Sequence, residues 1–355
     1  LGATMSTQIP RLDLEGDARS RGLSHGEALR EDIAATIDIY RGLFDLEETT
    51  VRERAAGFAA VVHGWQPELA TEIEAIALGA DQPAHWLHAL NARSEFVSRR
   101  PGPGECTALW LEESRLLGQN WDWLQRLAPL TRLLHITHPD GHRVLTVTEP
   151  GIVGKIGLSS AGLGVCLNFL HRDRPLDGVP VHVLLRGLLD ARDRTAAEQL
   201  LATAGAGRSA HVLLGDAAGG GVGLEFTGEH AHRLEPENGR VVHTNHFLAE
   251  AIDAGPGQPN SRARLDRACR RGTELDGAAV DWRDLADVLS DRDDPDHPVC
   301  VGWRTMPGWT GGPMGTVCAV VMEPGTGELH LRPGPDPDQP WSHHRLDEGA
   351  TRAWH

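Results

Sequence analysis

The chain changes character at one point, and that change limits its fold more than any other feature. From Arg19 to about Arg100 apolar residues recur at helical spacing. Ile33, Ile37, Leu43 and Phe44 share one face, and Ile73, Ile76 and Leu78 continue in a second segment. Proline and glycine then cluster in RRPGPGEC, which breaks the helical period and predicts an exposed loop just before Cys106. Beyond it the pattern becomes short apolar runs separated by turn residues: TALWLE, RLLHITH, RVLTVTE, GIVGKIGLS and GLGVCLNFL. These predict strands, antiparallel to one another. Helices are expected at 179–191 and 195–204. Strands return at HVLLGDA, GVGLEFT, HAHRLE and GRVVHTN. A further helical stretch runs over 261–271 and again near 284–289, before a final strand pair, TVCAVVMEP and ELHLRPG. PGPDPDQP near the C-terminal end is the one low-complexity stretch, and no internal repeat is present. Two batches of strands with helices before, between and after them predict an α+β fold with two sheets under helical layers.

Composition removes several function classes. A formal charge of −16 leaves no basic surface for phosphates, so nucleic acid and anionic membranes are excluded as expected partners and a small molecule is favoured. The five cysteines (Cys106, Cys166, Cys269, Cys300, Cys318) are scattered, with no CxxC pair for zinc or redox work. No apolar run approaches the ~20 residues a membrane helix needs, and the N-terminus lacks a secretory pattern. The expected setting is cytoplasmic, with Met5 as the natural start and Leu1 to Thr4 as a remnant ahead of it. Lys155 is the only lysine in the chain. A Schiff-base mechanism would have to run on it alone, within a stretch that reads as a strand, so that chemistry is set aside and no cofactor is expected.

The chemically informative segment is Gly104-Glu105-Cys106-Thr107 followed by Gly118-Gln119-Asn120-Trp121-Asp122-Trp123. A cysteine at a loop-to-strand junction and a carboxylate sixteen positions on come together when a hairpin folds back, which would bring Asp122 to Cys106. Spacing alone also allows Cys106 as a small core residue and Asp122 as a hairpin acid. GECTALW with GQNWDW resembles the start of the mature chain in the penicillin acyltransferase family of self-processing cysteine N-terminal-nucleophile hydrolases. GDARSRGLSHGEAL, Leu90-Asn91-Ala92-Arg93-Ser94-Glu95 and His243-Thr244-Asn245-His246-Phe247 resemble that family as well, in the same order along the chain.

The resemblance implies a four-layer αββα sandwich with two stacked antiparallel sheets. It implies a zymogen in which Cys106 attacks the Glu105 carbonyl. Residues 5–105 would then form a mostly helical α chain and 106–355 a catalytic β chain, the two together making one unit. The freed α-amine of Cys106, with an ordinary pKa of ~7.7–8.0, would serve as the base. Asn245 would be the oxyanion donor, Asp122 would position amine and thiol, and Arg264 in an S-x-x-R element would support the nucleophile, with Arg262 as its rival in the alignment. Asn120, Thr107, Glu225, Asn91 and Glu95 match family positions as supports. His243 and His246, three apart on a strand, fall on opposite faces and are expected to be structural, with no metal.

The implied activity is hydrolysis of an amide in a small N-acyl compound through acyl-Cys106. The alternatives are acyl transfer to a small amine, with acyl-coenzyme A as a donor, and a member that binds without processing. Glu105, standing where many relatives have glycine, keeps the last alternative open. The cleaved chains are expected to stay associated, and a homodimer is left open. A papain-like protease would need its cysteine on a helix, which TALWLE contradicts.

Overall fold

In a computed structural model the described residues are 8–97, 106–174, 176–249, 258–275, 279–305 and 309–348. Met5 and what precedes it, Glu105 and the RRPGPG loop therefore lie outside them. The chain runs β1 (Arg11–Glu15), α1 (Ala18–Ala28), α2 (Arg30–Phe44), α3 (Glu48–Trp65), α4 (Pro67–Ala80), α5 (Ala84–Asn91) and α6 (Arg93–Val97) before the loop. After it come β2 (Thr107–Leu111), β3 (Leu116–Leu124), β4 (Arg132–Thr137), β5 (Arg143–Thr148), β6 (Ile156–Ser159) and β7 (Leu163–Phe169). There follow α7 (Val181–Asp190), α8 (Arg194–Ala204), β8 (Ser209–Asp216), β9 (Gly221–Thr227), β10 (Ala231–Leu234) and β11 (Arg240–His243). The chain closes with α9 (Gln258–Thr273), α10 (Trp282–Ser290), β12 (Met314–Glu323), β13 (Glu328–Pro333) and β14 (Ser342–Arg345).

One sheet has the order β1-β4-β5-β6-β7-β8-β9-β10 and the other β11-β2-β3-β12-β13-β14. They face each other through β2, β3 and β12 against β6, β7 and β8. Helix α7 covers the outer side of the first sheet, with α5 packed on it, and α9 and α10 cover the outer side of the second. This is the four-layer α+β sandwich that the strand pattern and the resemblance led us to expect. All pairings are antiparallel except β1 with β4, which is parallel. β1 and β14 were not expected. Both are short edge additions, and β1 gains its place only by pairing with β4 far along the chain.

The glycines of GDARSRGLSHGEAL explain themselves in the packing of α1 on α4. A Cβ at Gly22 would lie 2.4 Å from the Glu72 carbonyl oxygen, and one at Gly26 would lie 2.3 Å from that of Ile76. Only bare backbone allows so close an approach. The same seam carries a buried ion cluster. Arg21 Nη2 donates to Glu72 Oε2 at 2.6 Å, and Arg186 Nη1, from α7, donates to Glu72 Oε1 at 2.8 Å. Ile73 and Ile76 are buried as expected, but Leu78 is 60% exposed: it points away from α1 while its neighbour Gly79 makes the close contact. The stretch 151–155 is irregular rather than strand, because β6 starts only at Ile156. Lys155 therefore sits at a loop-to-strand junction.

Candidate active site

The GQNWDW segment forms β3, buried throughout, and its alternation divides it between two layers. Gln119 faces the opposite sheet. Its Nε2 donates to the Leu167 carbonyl of β7, and its Oε1 accepts from Leu167 N at 2.8 Å, so one side-chain amide staples the two sheets. Trp121 and Trp123 share that face. Asn120 faces the other way and donates to Leu289 O at 2.8 Å and Val299 O at 2.9 Å, anchoring the end of α10. Asn120 thus supports the fold beneath the site.

Thr107 pairs with Asn120 across the hairpin, so Cys106 follows on from the ladder towards the Trp121–Asp122 stretch of β3. The hairpin does bring Asp122 to Cys106, as the spacing required. The thiol donates to the main-chain oxygen of Asp122 at a long 3.8 Å, and both residues are buried. Burial pushes the Cys106 thiol up, and the Asp122 carboxylate adds to that. The hydrogen bond to Asp122 and the positive charges of Lys155 and Arg264 pull back without cancelling it.

Arg264 is the centre of the grip on this cysteine. Its Nη1 donates to Cys106 O and to Thr107 Oγ1, both at 3.0 Å, and its Nη2 donates to Asn245 Oδ1 at 3.0 Å. The side chain is fully buried, whereas Arg262 is exposed, which separates the two candidates by packing. Ser261, one turn earlier on the same face of α9, accepts from Asn245 N at 2.8 Å and lies 2.8 Å from His246 Nδ1 and 2.9 Å from Thr244 Oγ1. The S-x-x-R spacing is therefore physical: residues three apart on a helix present together, and here they clasp the HTNH segment. Asn245 Nδ2 donates to Phe169 O at 2.9 Å, which fixes its amide plane.

Asn168 and His211, which the sequence did not single out, belong to this cluster. Asn168 Nδ2 donates to Cys106 O and to His243 O, each at 3.2 Å. Its Oδ1 lies 2.9 Å from His211 Nδ1, so that nitrogen carries the proton and the amide is held with its NH₂ towards Cys106. The His211 ring stacks on His243 with centroids 3.7 Å apart. His243 Nε2 in turn lies 2.7 Å from Glu225 Oε1. Glu225 also accepts from Leu248 N at 2.7 Å and Ala249 N at 2.9 Å, which gives it the task of holding the loop after the HTNHF segment. A polar residue inside the apolar run GLGVCLNFL was the available signal for Asn168. Lys155, set aside above for Schiff-base chemistry, lies beside Trp121.

The LNARSE residues tie the pre-loop helices to the rest of the chain. Asn91 donates to Gly151 O at 2.9 Å and accepts from Val153 N at 3.0 Å. Arg93 pairs with Glu149 at 3.1 Å, and Glu95 Oε1 accepts from Val181 N at 2.9 Å at the start of α7. His243 and His246 go to separate partners, Glu225 and Ser261, in keeping with structural roles. Among the described residues, Glu328, His330 and His343 on the outer β13–β14 hairpin are a group that could hold a metal. Arg345 already pairs with Glu328 at 3.0 Å, and His330 Nε2 lies 3.0 Å from Glu323, so the ligand atoms there are engaged. Cavities of 660 Å³ and 280 Å³ share Asn238 and Arg240 at the β11 end of its sheet, and Cys106 lines neither.

With this geometry in view, the comparisons with known proteins are decisive. The acyl-coenzyme A:6-aminopenicillanic acid acyl-transferase family matches residues 110–334. A relative from Emericella nidulans, the 40 kDa form of acyl-coenzyme A:6-aminopenicillanic-acid-acyltransferase, is 31% identical over 272 residues, covering 73% of this chain and 74% of that one. The chain belongs to this family. It is an enzyme of an acyltransferase family. Similar solved structures include a Caenorhabditis elegans orthologue of N-acylethanolamine-hydrolyzing acid amidase, at 16% identity over 62% of this chain and 93% of that one, with a TM-score of 0.45. Another is a variant of the conjugated bile acid hydrolase of Clostridium perfringens, at 12% identity over 69% and 94%, with a TM-score of 0.49. Among the described residues no helix is long and apolar enough to cross a membrane.

Proposed function

We propose that the protein is a self-processing amidohydrolase that cuts before Cys106 and then cleaves the amide of a small N-acyl compound through an acyl-Cys106 thioester. The observation that carries this is the shared grip of Arg264. One guanidinium holds the Cys106 carbonyl, the Thr107 hydroxyl and the Asn245 amide oxygen. Nucleophile and oxyanion donor are thereby fixed relative to each other.

The chemistry follows from those positions. After cleavage the α-amine of Cys106 takes the thiol proton, and the sulfur attacks the acyl carbon. The oxyanion is received by the N–H of Asn245 that Phe169 does not engage. The α-ammonium gives its proton to the departing amine, and water, deprotonated by the same α-amine, resolves the thioester. No histidine is needed as base. Asp122 pairs with the α-ammonium.

Residues 5–105 and 106–355 remain one unit after the cut. The contacts of Asn91, Arg93 and Glu95 and the Glu72–Arg186 pair run between the two parts. Five unpaired cysteines fit a reducing compartment, and we assign the cytoplasm. The Emericella nidulans relative supports a second outcome, in which a small amine rather than water resolves the thioester and the acyl group can come from acyl-coenzyme A. Intact-mass analysis tests the proposal. Wild type should give two fragments split before Cys106, and Cys106→Ala should stay whole and inactive towards a panel of N-acyl amines. A full-length wild type that also resists a thiol-directed acyl probe would instead indicate a non-catalytic binder.

A further inference from the structure

Self-cleavage poses a problem that the mature mechanism does not. Until the chain is cut, the nitrogen of Cys106 is an amide and cannot take the thiol proton, while burial and Asp122 both hold that thiol protonated. Some other feature must favour the thiolate in the uncut chain.

Lys155 is placed to do so. The only lysine of the chain is 2% exposed, and its Nζ makes no hydrogen bond. It lies 3.3 Å from the centroid of the Trp121 ring and 3.6 Å from Glu149 Oε2. Trp121 stands on β3 between Asn120, the cross-strand partner of Thr107, and Asp122, whose main-chain oxygen receives the Cys106 thiol at 3.8 Å. An ammonium over an aromatic face near a carboxylate is a cation held in one place, although its proton can be lost. Glu149 is held in its turn by Tyr40 Oη and by Arg93. Glu149 and the Trp121 face offset the cost of burying this charge, and nothing in the mature mechanism uses it.

We infer that Lys155 is a positioning residue for self-cleavage: its ammonium, set over Trp121, favours the Cys106 thiolate while the Cys106 nitrogen is still acylated. The inference rests on the proposed self-processing. In the step it assists, the thiol proton leaves to water and the sulfur bonds to the Glu105 carbonyl carbon. The C–N bond breaks as the nitrogen takes a proton from solvent, and water then hydrolyses the thioester, restoring the thiol beside a free α-amine. The groups around Lys155 set its own proton. Burial and then Arg93 push it down, to about 7, against Glu149, Cys106 and Cys318, while His182 on α7 is held neutral by burial.

The charge therefore has a pH signature. From acid pH the cleavage rate should rise and then level off above about pH 7, because each further proton lost removes the ammonium as readily as it makes a thiolate. The test is cell-free synthesis of the full chain, transfer to buffers from pH 6 to 9.5, and intact mass against time for wild type, Lys155→Met and Lys155→Arg. Lys155→Met should cleave at least tenfold more slowly at pH 7.5 and keep accelerating to pH 9 and beyond. Lys155→Arg should cleave within about threefold of wild type without the plateau. Wild-type speed in Lys155→Met, or a wild-type rate that climbs without levelling, overturns the inference. If Lys155→Met does not melt cooperatively, Lys155→Arg decides: retained cleavage without a plateau supports the inference, and loss overturns it. A wild type that stays whole sinks the self-processing beneath it, a result distinct from cleavage that is indifferent to Lys155.

Discussion

Replacing Arg264 by lysine tests the central grip, because it keeps the charge and removes the fork. Arg264 makes bonds of 3.0 Å to Cys106 O, Thr107 Oγ1 and Asn245 Oδ1 in three directions. A single ammonium on a shorter reach can keep one or two of these. Each bond from a charged donor contributes ~1.5–3 kcal/mol. If about 3 kcal/mol of the loss falls on the aim of Asn245 and Cys106, kcat should drop about 10²-fold with KM nearly unchanged. Removing the donor itself, in Asn245→Ala, should cost ~10²–10³-fold.

The double variant separates mechanism from general damage. If Arg264 acts by aiming Asn245, then Arg264→Lys costs little once Asn245 is gone, and the pair should fall within about fivefold of Asn245→Ala alone. Independent effects would multiply to ~10⁴–10⁵-fold. The assay is steady-state hydrolysis of a chromogenic N-acyl amide, normalised to the fraction of chains cut before Cys106 by intact mass. A fully multiplicative loss in the double variant would refute the account of Arg264 given above.

Two further predictions concern stability. Glu72→Gln leaves the Arg21 and Arg186 guanidinium groups buried around a neutral amide, and should cost about 3–5 kcal/mol in urea unfolding at pH 7. Burial pushes the Glu72 carboxyl up, but the two arginines outweigh it and hold it below its ordinary value. The contribution of wild-type Glu72 is therefore complete above about pH 4.5 and is lost as pH falls through the depressed value, so the gap between the proteins should close in acid. Glu95 behaves in the opposite sense. Burial raises its pKa to about 7, against the Val181 N–H, so the folded state holds a proton that the unfolded state has released. Its effect on stability worsens as pH rises from about 4.5 through 7. Glu95→Gln should thus be more stable than wild type at pH 8 by up to about 3 kcal/mol and no more stable at pH 4.5; equal gains at both pH values would contradict this.

Much of this was legible because period and chemistry coincide in the sequence. The α-to-β change around Cys106, the β2–β3 hairpin and the elements from β4 to β13 all follow from apolar spacing. β1 and β14 escaped because a short edge strand is decided by the partner it meets, here β4 and β13. Gly151 to Lys155 misled for a related reason. Its residues are buried and apolar enough for a strand, yet Asn91 captures Gly151 O and Val153 N, the groups a ladder would have used. In the site, Cys106, Asp122, Asn245 and Arg264 came from the resemblance, and the structure brings them to one place. The choice between Arg262 and Arg264 needed burial, which helical phase does not supply once the facing strand is unknown. Asn168 and His211 were hidden because a polar residue in an apolar run announces burial without announcing its partner, and Lys155 stood out as the only lysine without showing what it faces.

On the proposed mechanism, the charges around Cys106 make sense only as a set that changes when the chain is cut. The Asp122 carboxylate opposes a thiolate in the uncut chain, and Lys155 and Arg264 offset it. Cutting adds an α-ammonium at the same spot, which gives that carboxylate a partner and places a proton acceptor next to the sulfur. One arrangement can therefore sustain a slow reaction that happens once per molecule and a faster one that repeats. The first relies on positioned cations, Lys155 and Arg264, to favour the thiolate. The second relies on a base with an ordinary pKa of ~7.7–8.0 that exists only because the first has occurred. Asp122 should then be dispensable, even inhibitory, for cleavage but necessary for turnover, whereas Lys155 should matter in the reverse order. A protein carrying both features without the cut has no evident use for either.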